Sequence, residues 1–335
     1  MKSKKEKIAV ALSGGVDSSI SAWLLKEKGY EVHGFFMKLW SDPAQKANQD
    51  KSLADAQKVA RKLNIPFQVV AAKDIFKKNV VDYFISEYEK LHTPNPCVRC
   101  NKLIKFGWFL KAAEEAGFGK MATGHYARVK KGKDNNFQLF GGKDKDKDQS
   151  YFLNQLSQKQ LSKVVFPVGN LKKEEVRKIA RAQKLPVSDK KESQEICFIA
   201  DNDYRGFLKR NMTENVFRSG NIVNLENKIV GKHEGLGNYT IGQRKGIVQT
   251  GKNTHRKPLF VAGFRKKTNE LIVSEDYGIR KNKMVVKNLN WISENARKKT
   301  IKNSRLKCKI RYRHKAEFCR IQKTKNKSEM EVAFK

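Results

Sequence analysis

At 335 residues the chain is long enough for two or three domains with ample core, and 71 Lys and Arg against 34 Asp and Glu leave a net charge of +37. That excess suits a polyanion, nucleic acid first, although many lysines fall at scattered, solvated positions. No apolar run approaches the ~20 residues that span a bilayer, and the basic stretch 1–7 leads into a strand rather than a signal-peptide core, so a cytoplasmic protein without a membrane partner is expected.

Residues 8–12 read as a buried strand and 18–28 as a helix. Between them Ala11-Leu12-Ser13-Gly14-Gly15-Val16-Asp17-Ser18-Ser19 breaks through two glycines into a helix N-terminus. Backbone N–H groups converge there at the positive end of the helix dipole, which makes an anion site, most often for phosphate. No Gly-Lys-Ser/Thr follows, and the spacing is not Gly-x-Gly-x-x-Gly. A glycine turn capped by Asp17 or a serine is the plain alternative.

Further strands are expected at 32–37, 67–71 and 121–124. Helices are expected at 52–63, with Ser52 and Asp55 placed as a capping box, at 75–90 and at 102–116. This alternation predicts an α/β fold: a Rossmann-like parallel sheet with helices on both faces. Ligands gather at the carboxyl ends of such strands, where the Ser13 loop, Met37 and Thr123-Gly124-His125 all fall. Residues 144–148 read as a charged loop, and a helix returns at 172–183. From about Gly220, short β-like runs (221–223, 228–230, 239–241, 259–261, 270–273, 283–286) predict a small β-rich central domain and a C-terminal β-barrel. The expected division is 1–205, 206–275 and 276–335.

Five cysteines in so long a chain are not a disulfide scaffold, so any role falls to individual thiols. In Asn95-Pro96-Cys97-Val98-Arg99-Cys100-Asn101 the prolines stiffen a loop, and a helix is expected from about Asn101 or Lys102. A cysteine at that N-terminus, beside Arg99 and Lys102, is expected to carry a lowered pKa. Cys197, in a mostly apolar run, reads by itself as a packed core thiol. Structural zinc wants about four ligands, usually as two pairs, and no second Cys-x-x-Cys exists. An iron–sulfur cluster on Cys97, Cys100 and Cys197 stays open on chemical grounds.

The Ser13–Ser19 loop resembles the pyrophosphate loop of ATP pyrophosphatases. Further blocks are Gly34-Phe35-Phe36-Met37, the Asn95–Asn101 run, Thr123-Gly124-His125-Tyr126, Asp148-Gln149-Ser150-Tyr151-Phe152-Leu153 and Phe166-Pro167-Val168-Gly169. Glu192-Ser193-Gln194-Glu195-Ile196-Cys197-Phe198-Ile199, Ile241-Gly242-Gln243-Arg244-Lys245-Gly246 and Arg311-Tyr312 complete the set. Together, from about Ile8 to Arg313, they resemble the tRNA-specific 2-thiouridylases, which convert the 2-oxo group of the wobble uridine to 2-thio.

The resemblance implies that Ala11, Leu12, Ser13, Gly14, Gly15, Val16, Asp17, Ser18 and Met37 contact ATP, with Gly124 on the adenine side and Asp17 helping to hold Mg²⁺. It implies a persulfide on Cys197, Cys100 as the second cysteine, and Asn95, Pro96 and Cys97 against the target base. Lys147, Asp148, Gln149, Arg311 and Tyr312 would touch tRNA. The implied partners are the anticodon loop of Lys, Glu and Gln tRNAs and a cysteine desulfurase or sulfur-relay protein; a monomer is expected. Adenylation of the 2-oxo group would turn a poor leaving group into a good one, and the persulfide sulfur would then displace AMP.

Two features bear on the family's pattern. Cys97 stands where some relatives have Asp and others Cys, so it stays within the pattern and adds a third thiol. Members usually run beyond a segment like 330–334 into a further glycine-rich strand, so a short, open barrel is expected here. The rival readings are another ATP pyrophosphatase, such as a cluster-dependent tRNA thiolase or an amide-forming ligase, and a non-catalytic RNA-binding protein. The first predicts a brown, oxygen-sensitive protein, and the second predicts no conversion of ATP to AMP.

Overall fold

The computed structural model describes residues 5–43, 46–191, 196–199, 203–212, 216–248, 258–275, 281–302, 306–326 and 328–334. Glu192 to Glu195, the start of the Cys197 block, lie outside them. One unit comprises Met1–Val80, Pro96–Phe198 and Val285–Lys335, and the other Val81–Asn95 and Ile199–Met284.

The first unit is organised by β1 (Lys7–Ala11), β2 (Glu31–Lys38), β3 (Phe67–Ala71) and β4 (Lys120–Ala122). A hairpin of β5 (Ala127–Lys131) and β6 (Phe137–Gly141) follows, then the short β7 (Val164–Val165). The main sheet runs β3-β2-β1-β4-β7, with parallel pairing throughout. Alternate residues of β1 serve opposite faces. Ile8, Val10 and Leu12 pack with Ile20 and Leu25 of the Val16–Glu27 helix, Val59 of the Lys46–Leu63 helix and Val176 of the Lys173–Ala182 helix. Ala9 and Ala11 pack with Phe106, Phe109 and Leu110 on the other face. Both faces are therefore covered, as a parallel sheet requires.

Two helix starts differ from expectation. The second helix begins at Lys46, so Ser52 lies in its second turn and cannot cap it. Ser52 instead backs the glycine loop with its carbonyl, described below. The cysteine-bearing helix begins at Pro96 and runs through Asn101–Phe109 to Glu115. Proline suits the first position of a helix, where its missing N–H costs nothing, so the second proline opens the helix rather than stiffening a loop. Its middle stretch, Asn101–Phe109, is wound as π-helix. There Lys102 O comes so close to Gly107 that a Cβ would lie 2.8 Å from it.

In the second unit β8 (Gly220–Val223), β9 (Ile229–His233), β10 (Phe260–Arg265) and β11 (Glu270–Ser274) form a sheet in the order β10-β11-β8-β9. Its core is Ile222, Leu236, Val261, Leu271 and Val273. The strand expected at 239–241 is absent: a helical turn, Leu236–Asn238, leads into a loop in which Gly242 and Gly246 take φ of 82° and 80°. Only glycine adopts that backbone cheaply, and it turns Gln243 to hydrogen-bond its own loop at Thr240 N and Lys245 O.

The chain closes with β12 (Lys283–Lys287), β13 (Leu306–Cys308), β14 (Glu317–Lys323) and β15 (Glu329–Phe334), ordered β12-β15-β14-β13. Asn290, between the first two, donates to Asn154 O and Leu156 O and so ties this sheet's root to the rest of the first unit.

Candidate active site

The loop after β1 is held from every side. Gly14 has φ of 70°, and any Cβ there would strike Ser52 O, so the position requires glycine. Ser18 and Ser19 each donate a hydroxyl hydrogen bond to Gly15 O, at 3.0 and 2.8 Å, and Ser13 N donates to Ser18 Oγ at 3.2 Å. The first N–H groups of the Val16–Glu27 helix follow directly; they have no intrahelical acceptor and face an incoming anion. Ala11, Leu12 and Val16 are buried, so only their backbone is available to a nucleotide.

Asp17 is the charged centre of this loop. Lys173 Nζ donates to its Oδ1 and Oδ2 at 2.6 and 2.8 Å, and Tyr126 OH donates to Oδ1 at 2.8 Å. Lys173 is 8% exposed, an unusual burial for lysine. A second lysine, Lys190, donates to Gly14 O at 3.0 Å and to Asp55 Oδ2 at 2.6 Å. Neither Lys173 nor Lys190 has a local signature in the sequence, since each acts across more than 130 positions. A carboxylate that already holds a cation fits a role toward Mg²⁺, and Asp17 is the residue that would hold it.

Gly124 lies against this loop: a Cβ there would sit 2.6 Å from Ser18 N and 2.7 Å from the Asp17 carbonyl carbon. The next residue, His125, is buried and shares a 2.5 Å hydrogen bond with Thr123 Oγ1. Its ring lies 5.7 Å from that of Phe106 on the cysteine-bearing helix. Burial first, and the Lys105 charge second, hold its pKa well below the usual range, so the imidazole is neutral. Met37, at the end of β2, packs partly buried against the same face of the sheet.

The thiols do not have the lowered pKa expected from the sequence. Burial pushes Cys97 up and Cys100 up to about 11. The two cations expected to help are committed elsewhere: Arg99 Nε donates to Asn79 O, and Lys102 Nζ to Gln155 Oε1 at 3.1 Å. Cys197 also corrects its expectation, because it is exposed rather than packed in the core. Its neighbour Phe198 takes the buried place, ring to ring with Phe76 at 5.7 Å, and pins the segment. Crowding by protein raises the Cys197 pKa, Cys100 and Cys97 raise it further, and the Lys105 charge opposes the rise. The three thiols thus lie within electrostatic reach of one another. Among the described residues no three His, Cys, Asp or Glu side chains converge in metal-binding geometry.

Residues 6–201 match the family model described as tRNA methyl transferase HUP domain. Residues 205–275 match its PRC-barrel domain, and 281–335 match an aminomethyltransferase β-barrel domain. The chain is 44% identical over 309 residues to tRNA-specific 2-thiouridylase MnmA 2 of Clostridium botulinum (strain Langeland), covering 92% of this chain and 85% of that one. It is 44% identical over 319 residues to 2-thiouridylase MnmA 1 of Caldanaerobacter subterraneus, with 93% and 85% covered. Against the MnmA of Geotalea uraniireducens identity is 42% over 327 residues, with 95% and 85% covered. The chain belongs to the tRNA-specific 2-thiouridylase family.

Two segments that the thiouridylase resemblance singled out for tRNA form one surface. The Tyr312 ring lies 4.5 Å from Phe152 and 6.1 Å from Tyr151, and Tyr151 OH donates to Ile310 O at 3.0 Å. Lys147 and Asp148 are near enough to act on the Tyr312 hydroxyl, and Arg311 on that of Tyr151. Asp148 and Gln149 spend their side chains on the fold: Asp148 accepts from Gly142 N and Ser150 N, and Gln149 Oε1 from Tyr126 N. What this surface offers a polyanion is Lys147, Lys309 and Arg311 around three aromatic rings. Pro96 is buried and Cys97 half-buried in the first turn of the helix; Asn95 belongs to the second unit.

Proposed function

We propose that this 2-thiouridylase-family chain is a tRNA-uridine 2-sulfurtransferase that uses ATP to activate the 2-oxo group of a wobble uridine and delivers sulfur from Cys197, with Cys100 as second cysteine. One observation carries the reading. The strand end Gly124-His125 touches the nucleotide loop through Gly124 and lies within electrostatic reach of Lys105 on the cysteine-bearing helix through His125. Activation and sulfur delivery therefore have a shared location at the carboxyl ends of β1 and β4.

The loop N–H groups and the exposed Ser13 hydroxyl receive the departing pyrophosphate, and Lys173 places a positive charge beside them. Mg²⁺ held by Asp17 would neutralise part of the phosphate charge. The buried imidazole of His125 is hydrogen-bonded to Thr123 Oγ1 and packs the strand end, and its lowered pKa makes it a weak base. Once AMP is on the 2-oxygen, the Cys197 perthiolate attacks C2 and the oxygen leaves with AMP. Cys100 thiolate then attacks Cys197 Sγ, forming a Cys100–Cys197 disulfide and releasing the thiolated base. Alternatively, Cys100 attacks first and releases hydrosulfide, which attacks C2. Both routes end in the same disulfide, which an external thiol reductant must reopen. The base has to leave its stack, which favours a loop substrate. Extrusion brings it toward the surface where Cys197 is exposed. The sulfur donor would be a desulfurase or relay protein, and the expected setting is cytoplasmic.

The test is nucleoside mass analysis after anaerobic incubation with unmodified tRNA, ATP, Mg²⁺ and a persulfide donor. Iron-free protein is expected to form 2-thiouridine and AMP in equal amounts. AMP without thiolated base contradicts the acceptor, and thiolation that requires protein-bound iron replaces the persulfide by a cluster.

A further inference from the structure

The cysteine-bearing helix carries a third cation in its first half, Lys105, and among the described residues it is not committed elsewhere. Arg99 and Lys102 each hold an oxygen away from the thiols. Lys105 makes no hydrogen bond or ion pair among the described residues, and its charge reaches Cys97, Cys100, Cys197 and His125 together. The winding of the helix explains the placement. In an α-helix, residues five apart point to well-separated directions; in a π-helix, which bonds residue i to i+5, they lie nearly one above the other. The π stretch Asn101–Phe109 begins directly after Cys100 and so brings Lys105 around to the face of Cys100.

A second observation lies on the same turn. Asn101 is 3% exposed; its Nδ2 donates to Phe152 O at 3.1 Å, while its Oδ1 is buried without a hydrogen-bond partner. An unsatisfied buried acceptor is costly, and native proteins keep few of them. An acceptor without a donor and a cation without an acceptor therefore sit four residues apart beside Cys100.

We propose that Lys105 is the positioning cation of sulfur transfer, holding negative charge on sulfur as Cys197 and Cys100 exchange it. The inference rests on the reading of those two thiols as the sulfur carriers. In the step concerned, the Cys100 thiol first gives its proton to solvent. Its thiolate then attacks Cys197 Sγ, the Cys100–Cys197 bond forms, and the bond from Cys197 to the transferred sulfur breaks. The electron pair leaves on that sulfur, as hydrosulfide or as the sulfur of the thiolated base. Charge thus begins on the buried Cys100 sulfur, where burial disfavours it, and ends on another. A fixed ammonium lowers the cost along the whole path. The groups facing it are Cys97, Cys100 and Asn101 from the helix, neutral His125 from the strand end, and Cys197 from the segment after Ile196.

The test is the rate of iodoacetamide alkylation at Cys100 and Cys197, resolved by peptide mass mapping on the full chain between pH 7 and 10, below both midpoints, where the rate follows the thiolate fraction. In Lys105→Met both rate profiles are expected to shift up in pH by about half a unit or more, slowing alkylation at pH 8 about threefold. Lys105→Arg should restore most of the loss, and Lys102→Met should follow wild type. A Lys105→Met profile superimposable on wild type overturns the proposal, as does an equal shift in Lys102→Met. An arginine variant no better than the methionine one overturns it too, because a structural defect would not distinguish them. The readout needs neither ATP nor tRNA. Absence of 2-thiouridine from wild type, with the Lys105 shift present, would refute the thiouridylase chemistry while leaving the charge effect on the thiols in place.

Discussion

Cys197→Ser is expected to remove 2-thiouridine formation entirely, a loss of at least about 10³-fold, while ATP affinity stays within about twofold of wild type. The hydroxyl cannot carry a sulfane sulfur, so no other group compensates. Cys197 is exposed and Phe198 supplies the buried anchor, so the substitution should leave the fold untouched. Thiolated nucleoside by mass analysis and ATP binding by calorimetry check the two halves separately. If the serine variant still thiolates tRNA, sulfur does not pass through Cys197. If it loses ATP binding as well, the variant has disturbed the fold.

Lys173→Met is expected to lower AMP formation about 10²- to 10³-fold, the range for removing one preorganised charge from a transition-state site. The ammonium contacts both Asp17 oxygens and is mostly buried, so solvent and salt replace it poorly. The same change removes both ammonium contacts and leaves Asp17 the Tyr126 hydroxyl at 2.8 Å. Because that carboxylate is about one-third exposed, the cost to stability should stay near 1–2 kcal/mol, below that of breaking a fully buried pair. Single-turnover AMP release and thermal unfolding separate the two effects. A variant of normal AMP rate would show that Lys173 only holds the empty loop together.

Much of this architecture could be read from the chain. Strand–glycine–helix at Ile8 to Ser19 has few physical realisations, and β3 falls at 67–71 as its apolar run demands. The loop's serines and Asp17 came with that pattern and Gly124 with the family resemblance, and the serines' contacts stay within the loop. What escaped reading acts at a distance or depends on helix winding. Lys173 meets Asp17 across 156 positions, and a lone lysine on an amphipathic helix looks like any solvated lysine. Pro96 reads equally as loop or helix start until its partners are known. The raised pKa values of Cys97 and Cys100 could not be foreseen, because adjacency in sequence put Arg99 and Lys102 beside them. The fold turns both cations away and brings in Lys105 through a π turn that local propensity does not announce.

The account's central claim is that Cys100 and Cys197 act on one sulfur at one place. Peptide mass mapping of the full chain after a single turnover, with persulfide-loaded enzyme, unmodified tRNA and ATP but no reductant, tests it most directly. The account predicts a Cys100–Cys197 disulfide in an amount equal to the 2-thiouridine formed. Thiolation with both cysteines recovered as free thiols, or with Cys197 joined to Cys97 instead, would contradict it.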